Sequence, residues 1–190
     1  SSDIGNNCAI GNAYPDFDEG RKYLAPGLFG PCGYGLPSIV GAKIGKPDVP
    51  VVGFAGDGAF GIAVNELTAI GRPEWPAVTQ IVFRNYQWGA EKRNSTLWFD
   101  DNFVGTELDM QVNYAKIAEA CGLIGVQAKS MDELTEMLNQ AIKDQMENNK
   151  TTLIEVILNQ ELGEPFRRDA MKKPVKVAGV SKDDMNVAAE

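Results

Sequence analysis

Residues 49–55 (VPVVGFA) form a continuous apolar run rich in β-branched side chains. A strand with one face in water would alternate polar and apolar residues, so this run reads as a strand buried on both faces of a parallel sheet. Residues 78–83 (VTQIVF) read as a second buried strand, 124–128 as a third and 152–158 (TLIEVIL) as a last one. Between them lie stretches of helical period. Residues 62–70 read as a helix. Tyr114, Ile117, Ala118 and Cys121 recur at helical spacing, with Gly122 placed as a C-cap. Ser130 and Glu133 have the spacing of a capping box, ahead of a stripe of Leu134, Met137, Leu138, Ala141, Ile142 and Met146. Strands alternating with helices predict an α/β fold: a doubly wound, mainly parallel sheet with helices on both faces.

The division expected is one domain over residues 1–162, with its first strand truncated, followed by an irregular tail over 163–190. The 190 residues suffice for a single domain with its own core, and 44% hydrophobic against 23% charged residues is a globular composition. A net charge of −8 argues against nucleic-acid or anionic-membrane partners. Cys8, Cys32 and Cys121 are odd in number and widely spaced, which matches no disulfide framework or metal-ligand set and points to a reducing, cytoplasmic setting.

The chain contains no histidine. A Ser-His-Asp triad, a Cys-His pair or a His-ligated zinc therefore cannot be built from it alone. Any proton chemistry falls to a cofactor or to another domain.

Gly56-Asp57-Gly58 follows the first full strand and precedes a helix, at the rim where ligands of open α/β sheets bind. Glycines admit a phosphate close to the backbone, and a helix start offers free N–H groups. Asp57 adds a hard anionic oxygen suited to Mg²⁺. On its own an Asp-Gly pair also reads simply as a turn. Twenty-six residues separate Gly58 from Asn85, which lies at the end of the next strand, where its side-chain oxygen would reach the same rim and complete an oxygen shell around the ion.

This GDG-x26-N pattern resembles the motif of thiamine diphosphate (ThDP) enzymes. Residues 30–43 (GPCGYGLPSIVGAK) are similar to the glycine-rich segment of the acetolactate-synthase family. Residues 84–92, 103–109 and 164–170 resemble its sulfoacetaldehyde acetyltransferase branch, whose members convert sulfoacetaldehyde and phosphate into acetyl phosphate and sulfite.

The resemblance implies the diphosphate-binding domain of such an enzyme, bound to ThDP and Mg²⁺. It implies Asp57, Asn85 and the Gln87 backbone carbonyl as metal ligands. Ile4, Gly5, Asn6, Asn7, Gly56, Gly58, Ala59, Trp88 and Gly89 would border the cofactor, and the Gly30 carbonyl would accept from its 4′-amino group. Cys32 stands where the family usually has a bulky aliphatic residue, and Tyr86 replaces a commoner acidic one. No catalytic residue is assigned in this chain. The activating glutamate is expected from a pyrimidine-binding domain, in the same enzyme or a partner subunit of a homo-oligomer.

Arg167 and Arg168 are candidates for the sulfonate and phosphate of the small-molecule substrates, or belong to a solvated basic tail. Trp75, Trp88 and Trp98 are read as core or interface packing before any role near the cofactor. Alternatives are an acetolactate-synthase-like carboligase or decarboxylase domain, or a lone ThDP-binding module inactive by itself. A dinucleotide-binding dehydrogenase lacks its G-x-G-x-x-G and strand-end acid here, and an iron–sulfur-linked oxidoreductase lacks its clustered cysteines.

Overall fold

The computed structural model describes residues 1–162. Four strands, β1 (Val52–Gly56), β2 (Thr79–Arg84), β3 (Ile124–Ala128) and β4 (Thr152–Ile157), form one sheet in the order β1-β2-β4-β3. Every pairing is parallel. Ser2 adds an isolated parallel bridge to Phe54 on the outer side of β1. All four strands expected from the sequence are present, within three residues at their starts and one at their ends.

Helices cover both faces, as expected. On one side α2 (Gly35–Gly45), α3 (Asp57–Ile62), α4 (Leu67–Ile70) and α6 (Tyr114–Ala120) pack Leu36, Ile39, Phe60, Leu67, Ile70, Tyr114 and Ala118 against Ala55, Val82 and Leu153. On the other, α7 (Met131–Glu147) lays Leu134, Met137, Leu138 and Ala141 on Ile81, Ile154 and Val156. β1, β2 and β4 thus send alternate side chains into two separate cores, which is why their sequences are mostly apolar on both faces. α1 (Asn6–Ala13) joins the second face, where Gly11 approaches the Phe54 ring.

Local signals end the helices where the sequence placed them. Ser130 Oγ accepts from the Glu133 N–H, and the Glu133 carboxylate accepts from Lys129 N–H, one residue before the position a capping box requires. Gly122, with φ of 82°, ends α6 in the left-handed region.

One boundary differs. The helix expected over residues 62–70 begins at Asp57 and is broken into α3, a 3₁₀ turn (Val64–Glu66) and α4. Gly56 is its N-cap, in extended conformation, and Asp57 in the first turn accepts from the Gly58 N–H through Oδ1. α1, α2 and α5 (Gly89–Trp98) carry no periodic apolar stripe strong enough to announce themselves beside their glycines.

Candidate cofactor and metal site

The carboxyl ends of β1 and β2 meet at one rim, and the register pairs Gly56 with Phe83. Asp57 and Asn85 therefore follow neighbouring strands at nearly the same height. Asp57 is buried, at 3% exposure. Its Oδ2 accepts from the Tyr86 N–H at 2.7 Å and its Oδ1 from the Gly58 N–H at 3.0 Å. Burial pushes its carboxyl above the ordinary aspartate range, while the Tyr86 and Gly58 N–H groups and then the Arg84 charge pull it back. No salt bridge reaches it among the described residues.

One terminal atom of the Asn85 amide lies 3.0 Å from the Gln87 carbonyl oxygen and 3.2 Å from Asp57 Oδ1. With nitrogen at that position, the amide donates to both. With oxygen there, three oxygens face one another with no proton between them, an arrangement that needs a cation. Oxygens at adjacent corners of a Mg²⁺ octahedron, about 2.1 Å from the ion, lie about 3.0 Å apart. The donor set is a carboxylate, an amide and a peptide carbonyl, all hard oxygens, and it fits Mg²⁺ rather than a thiolate- or imidazole-loving metal. No group of three or more Cys, Asp or Glu side chains among the described residues offers a competing metal site.

The Gln87 carbonyl reaches this point because of a bridge. Gln87 pairs antiparallel with Glu107: Trp88 N–H donates to the Thr106 carbonyl at 2.8 Å and Leu108 N–H to the Tyr86 carbonyl at 2.9 Å. In that pattern the flanking peptides make the bonds, and the Gln87 carbonyl faces the other way, towards Asn85. Its side chain is spent elsewhere, accepting from Lys92 Nζ and donating to the Gln160 carbonyl. The runs 84–92 and 103–109, far apart in the resemblance, are thus one structural unit. Tyr86 between them has φ of 60°, a left-handed conformation costing a non-glycine residue about 1–3 kcal/mol.

A cavity of about 670 Å³ opens at this rim. Ile4, Gly5, Asn6, Asn7, Gly30, Cys32, Gly56, Asp57, Gly58, Ala59, Asn85, Gln87, Trp88 and Gly89 all line it. Gly58 lies directly under Trp88, where a Cβ would stand 2.7 Å from the indole. Trp88 is therefore cavity wall. Trp75 packs against the core and Trp98 is largely exposed, so neither lines the cavity. Asn7 turns its amide nitrogen inward to the Asp3 carbonyl and Ser2 Oγ, holding the first loop. Burial, and then the Asp3 and Glu91 carboxylates, push the Cys32 thiol up, which disfavours its nucleophilic thiolate. Arg167 and Arg168, and the tail over 163–190, lie outside the described residues.

Three features went unread in the sequence. Asp3, fully buried, ties the first loop to the glycine-rich segment by accepting from the N–H groups of Ile4, Gly33 and Gly35. Arg84 and Glu155 form a buried ion pair at 2.7 Å beneath the candidate metal ligands. The cavity also has an apolar lobe of Ile10, Phe54, Phe83, Leu134, Val156 and Leu158. A glutamate inside the run TLIEVIL was the available signal for the second, since a charge buried in a strand demands a partner.

Residues 3–156 match the model of the thiamine pyrophosphate enzyme C-terminal TPP binding domain, thiamine pyrophosphate being another name for ThDP. The chain belongs to this family. It is 82% identical over 185 residues to the sulfoacetaldehyde acetyltransferase of Roseovarius nubinhibens, covering 97% of this chain and 30% of that protein. It is 26% identical to the acetolactate synthase isozyme 3 large subunit of Escherichia coli, over 84% of this chain and 27% of the relative. Among solved structures, the ThDP-dependent 4-hydroxybenzoylformate decarboxylase of Rhodococcus jostii superposes with a TM-score of 0.63 at 28% identity, covering 74% of this chain and 25% of that one. The chain therefore spans about 30% of the length of the curated relatives it matches. No helix among the described residues is long and apolar enough to cross a membrane.

Proposed function

We propose that this chain binds ThDP through Mg²⁺ as the diphosphate-binding domain of a sulfoacetaldehyde acetyltransferase, which turns sulfoacetaldehyde and phosphate into acetyl phosphate and sulfite. The convergence of the Asp57 carboxylate, the Asn85 amide and the Gln87 carbonyl carries the reading. The 82% identity to a protein of that name supports the substrate.

In this reading, Asp57, the Asn85 side chain and the Gln87 carbonyl hold the ion. The Gly58 and Ala59 peptides face the diphosphate at the start of α3, with Ile4 to Asn7 opposite. The indole of Trp88 shields this end from water, and the Gly30 carbonyl orients the aminopyrimidine. Bound ThDP supplies a carbanion nucleophile and moves its own proton, so a chain without histidine suffices for binding and orientation. The activating glutamate comes from a pyrimidine-binding domain, across a homo-oligomeric interface. Arg167 and Arg168 receive the sulfonate and phosphate, and the enzyme works in a reducing cytoplasm, where Cys8, Cys32 and Cys121 stay free.

The test is to supply the full-length enzyme with ThDP, Mg²⁺, sulfoacetaldehyde and phosphate. Acetyl phosphate and sulfite should appear in equal amounts and depend on both ThDP and the metal. Acetolactate from pyruvate, with no sulfite release, would place the chain among the carboligases instead.

A further inference from the structure

We propose that Arg84 is a positioning residue for the metal site, acting through the strained peptide of Tyr86. The proposal rests on the Mg²⁺ reading above and assigns a role that reading does not contain.

Tyr86 stands between two proposed ligands. Its left-handed turn reverses the chain at the end of β2, so the Asn85 side chain and the Tyr86 N–H face Asp57 while the Gln87 carbonyl faces the Asn85 amide. An extended Tyr86 would send consecutive groups to opposite sides. Tyrosine does not choose this conformation unaided.

Arg84 is what holds it. Its guanidinium lies 4.6 Å from the centroid of the Tyr86 ring, within range of a cation–π contact. The same group pairs with Glu155 through Nη1 and donates to the Met110 carbonyl through Nη2 at 2.8 Å. Both charges are buried, with side-chain exposures of 5% and 0%. Glu155 is in turn fixed by Tyr114 N–H, Ala115 N–H and Gln127 Nε2. The guanidinium plane is thus immobilised on one side by the sheet and α6, and presents its other surface to the ring. The Tyr86 carbonyl is held as well, by Leu108 N–H and Gln160 Nε2.

A purely structural Arg84 would neutralise Glu155 and do nothing else. The two roles separate by glycine rescue, because glycine adopts φ near 60° at no steric cost and needs no clamp.

The experiment uses the full-length enzyme with Mn²⁺ as a spectroscopic substitute for Mg²⁺, its free concentration read by EPR at saturating ThDP. Arg84→Met with Glu155→Gln removes the clamp without leaving a buried carboxylate unpaired. Its Mn²⁺ dissociation constant should rise about tenfold, the scale of the strain released. Adding Tyr86→Gly should return the affinity to near the parent value while the lowered melting temperature does not recover. Arg84→Lys keeps a charge for Glu155 but loses the flat stacking surface. It should weaken Mn²⁺ severalfold with less change in melting temperature, and it serves if the double variant does not fold. Unchanged affinity in the folded variants, or no rescue by glycine, overturns the clamp. Asp57→Asn is the control: if it binds Mn²⁺ as well as the parent, the metal reading itself fails, and the clamp with it.

Discussion

Asp57 and Glu155 are both carboxylates buried at the sheet, and their surroundings are opposite. Glu155, in mid-strand, is complete: a guanidinium at 2.7 Å and three N–H donors use its two oxygens. Asp57, at the rim, has two backbone N–H donors and, among the described residues, no paired cation, and its Oδ1 lies 3.2 Å from one terminal atom of the Asn85 amide. Two acids of similar burial thus have different tasks. A buried carboxylate given its counter-charge by the fold is structural, whereas one left without it, at the open end of parallel strands, is a candidate cation ligand, as proposed for Asp57.

Removing the carboxylates one at a time is the strongest test of that contrast. Glu155→Ala leaves Arg84 buried and unpaired and should cost about 3–5 kcal/mol in chemical denaturation. Asp57→Asn should cost clearly less, because a neutral amide suits a metal-free cavity. Equal losses would erase the distinction.

Gly58→Ala probes the rim alone. The new Cβ falls on the Trp88 indole and should cost about 1–3 kcal/mol through overpacking, with ThDP affinity falling alongside. Unchanged cofactor affinity, measured by calorimetry, would remove Trp88 and Gly58 from the site.

Acidity sharpens the comparison further. The raised Asp57 pKa means that the metal-free fold disfavours the ionised form relative to the unfolded chain, so ionisation costs stability and acidification relieves that cost. A bound cation requires the ionised form. The gain in melting temperature from Mg²⁺ with ThDP should therefore shrink as pH falls, beginning at a higher pH than an ordinary aspartate would give. Asp57→Asn should abolish this dependence, whereas Glu155→Gln, if it folds, should retain it.

Ser130→Ala is the smallest change and the control for distance. Losing the cap of α7 should cost about 1 kcal/mol and leave metal affinity untouched.

The parallel core was legible because strands buried on both faces are mostly apolar and β-branched, as residues 49–55 and, apart from Gln80, 78–83 are. So was α7, whose stripe from Leu134 to Ala141 meets the sheet. The glycine-rich elements were not. In α2, Leu36, Ile39 and Val40 do recur at helical spacing, but glycines and Pro37 obscure the pattern. The proposed metal pair was readable because two strands of one parallel sheet end at one rim. The Gln87 carbonyl entered only by resemblance, since its direction depends on pairing with Glu107 across a loop that no local pattern announces. Glu155 was visible as a charge in an apolar strand, but its partner Arg84, 71 residues away, was not.

The most direct measurement is a calorimetric titration of the purified protein with ThDP, with Mg²⁺ and with chelator, in the parent and in Asp57→Asn. Saturable binding that requires the metal and disappears in the variant is the predicted result. ThDP bound equally well in chelator, or unaffected by loss of the Asp57 charge, would contradict a divalent cation on these three oxygens.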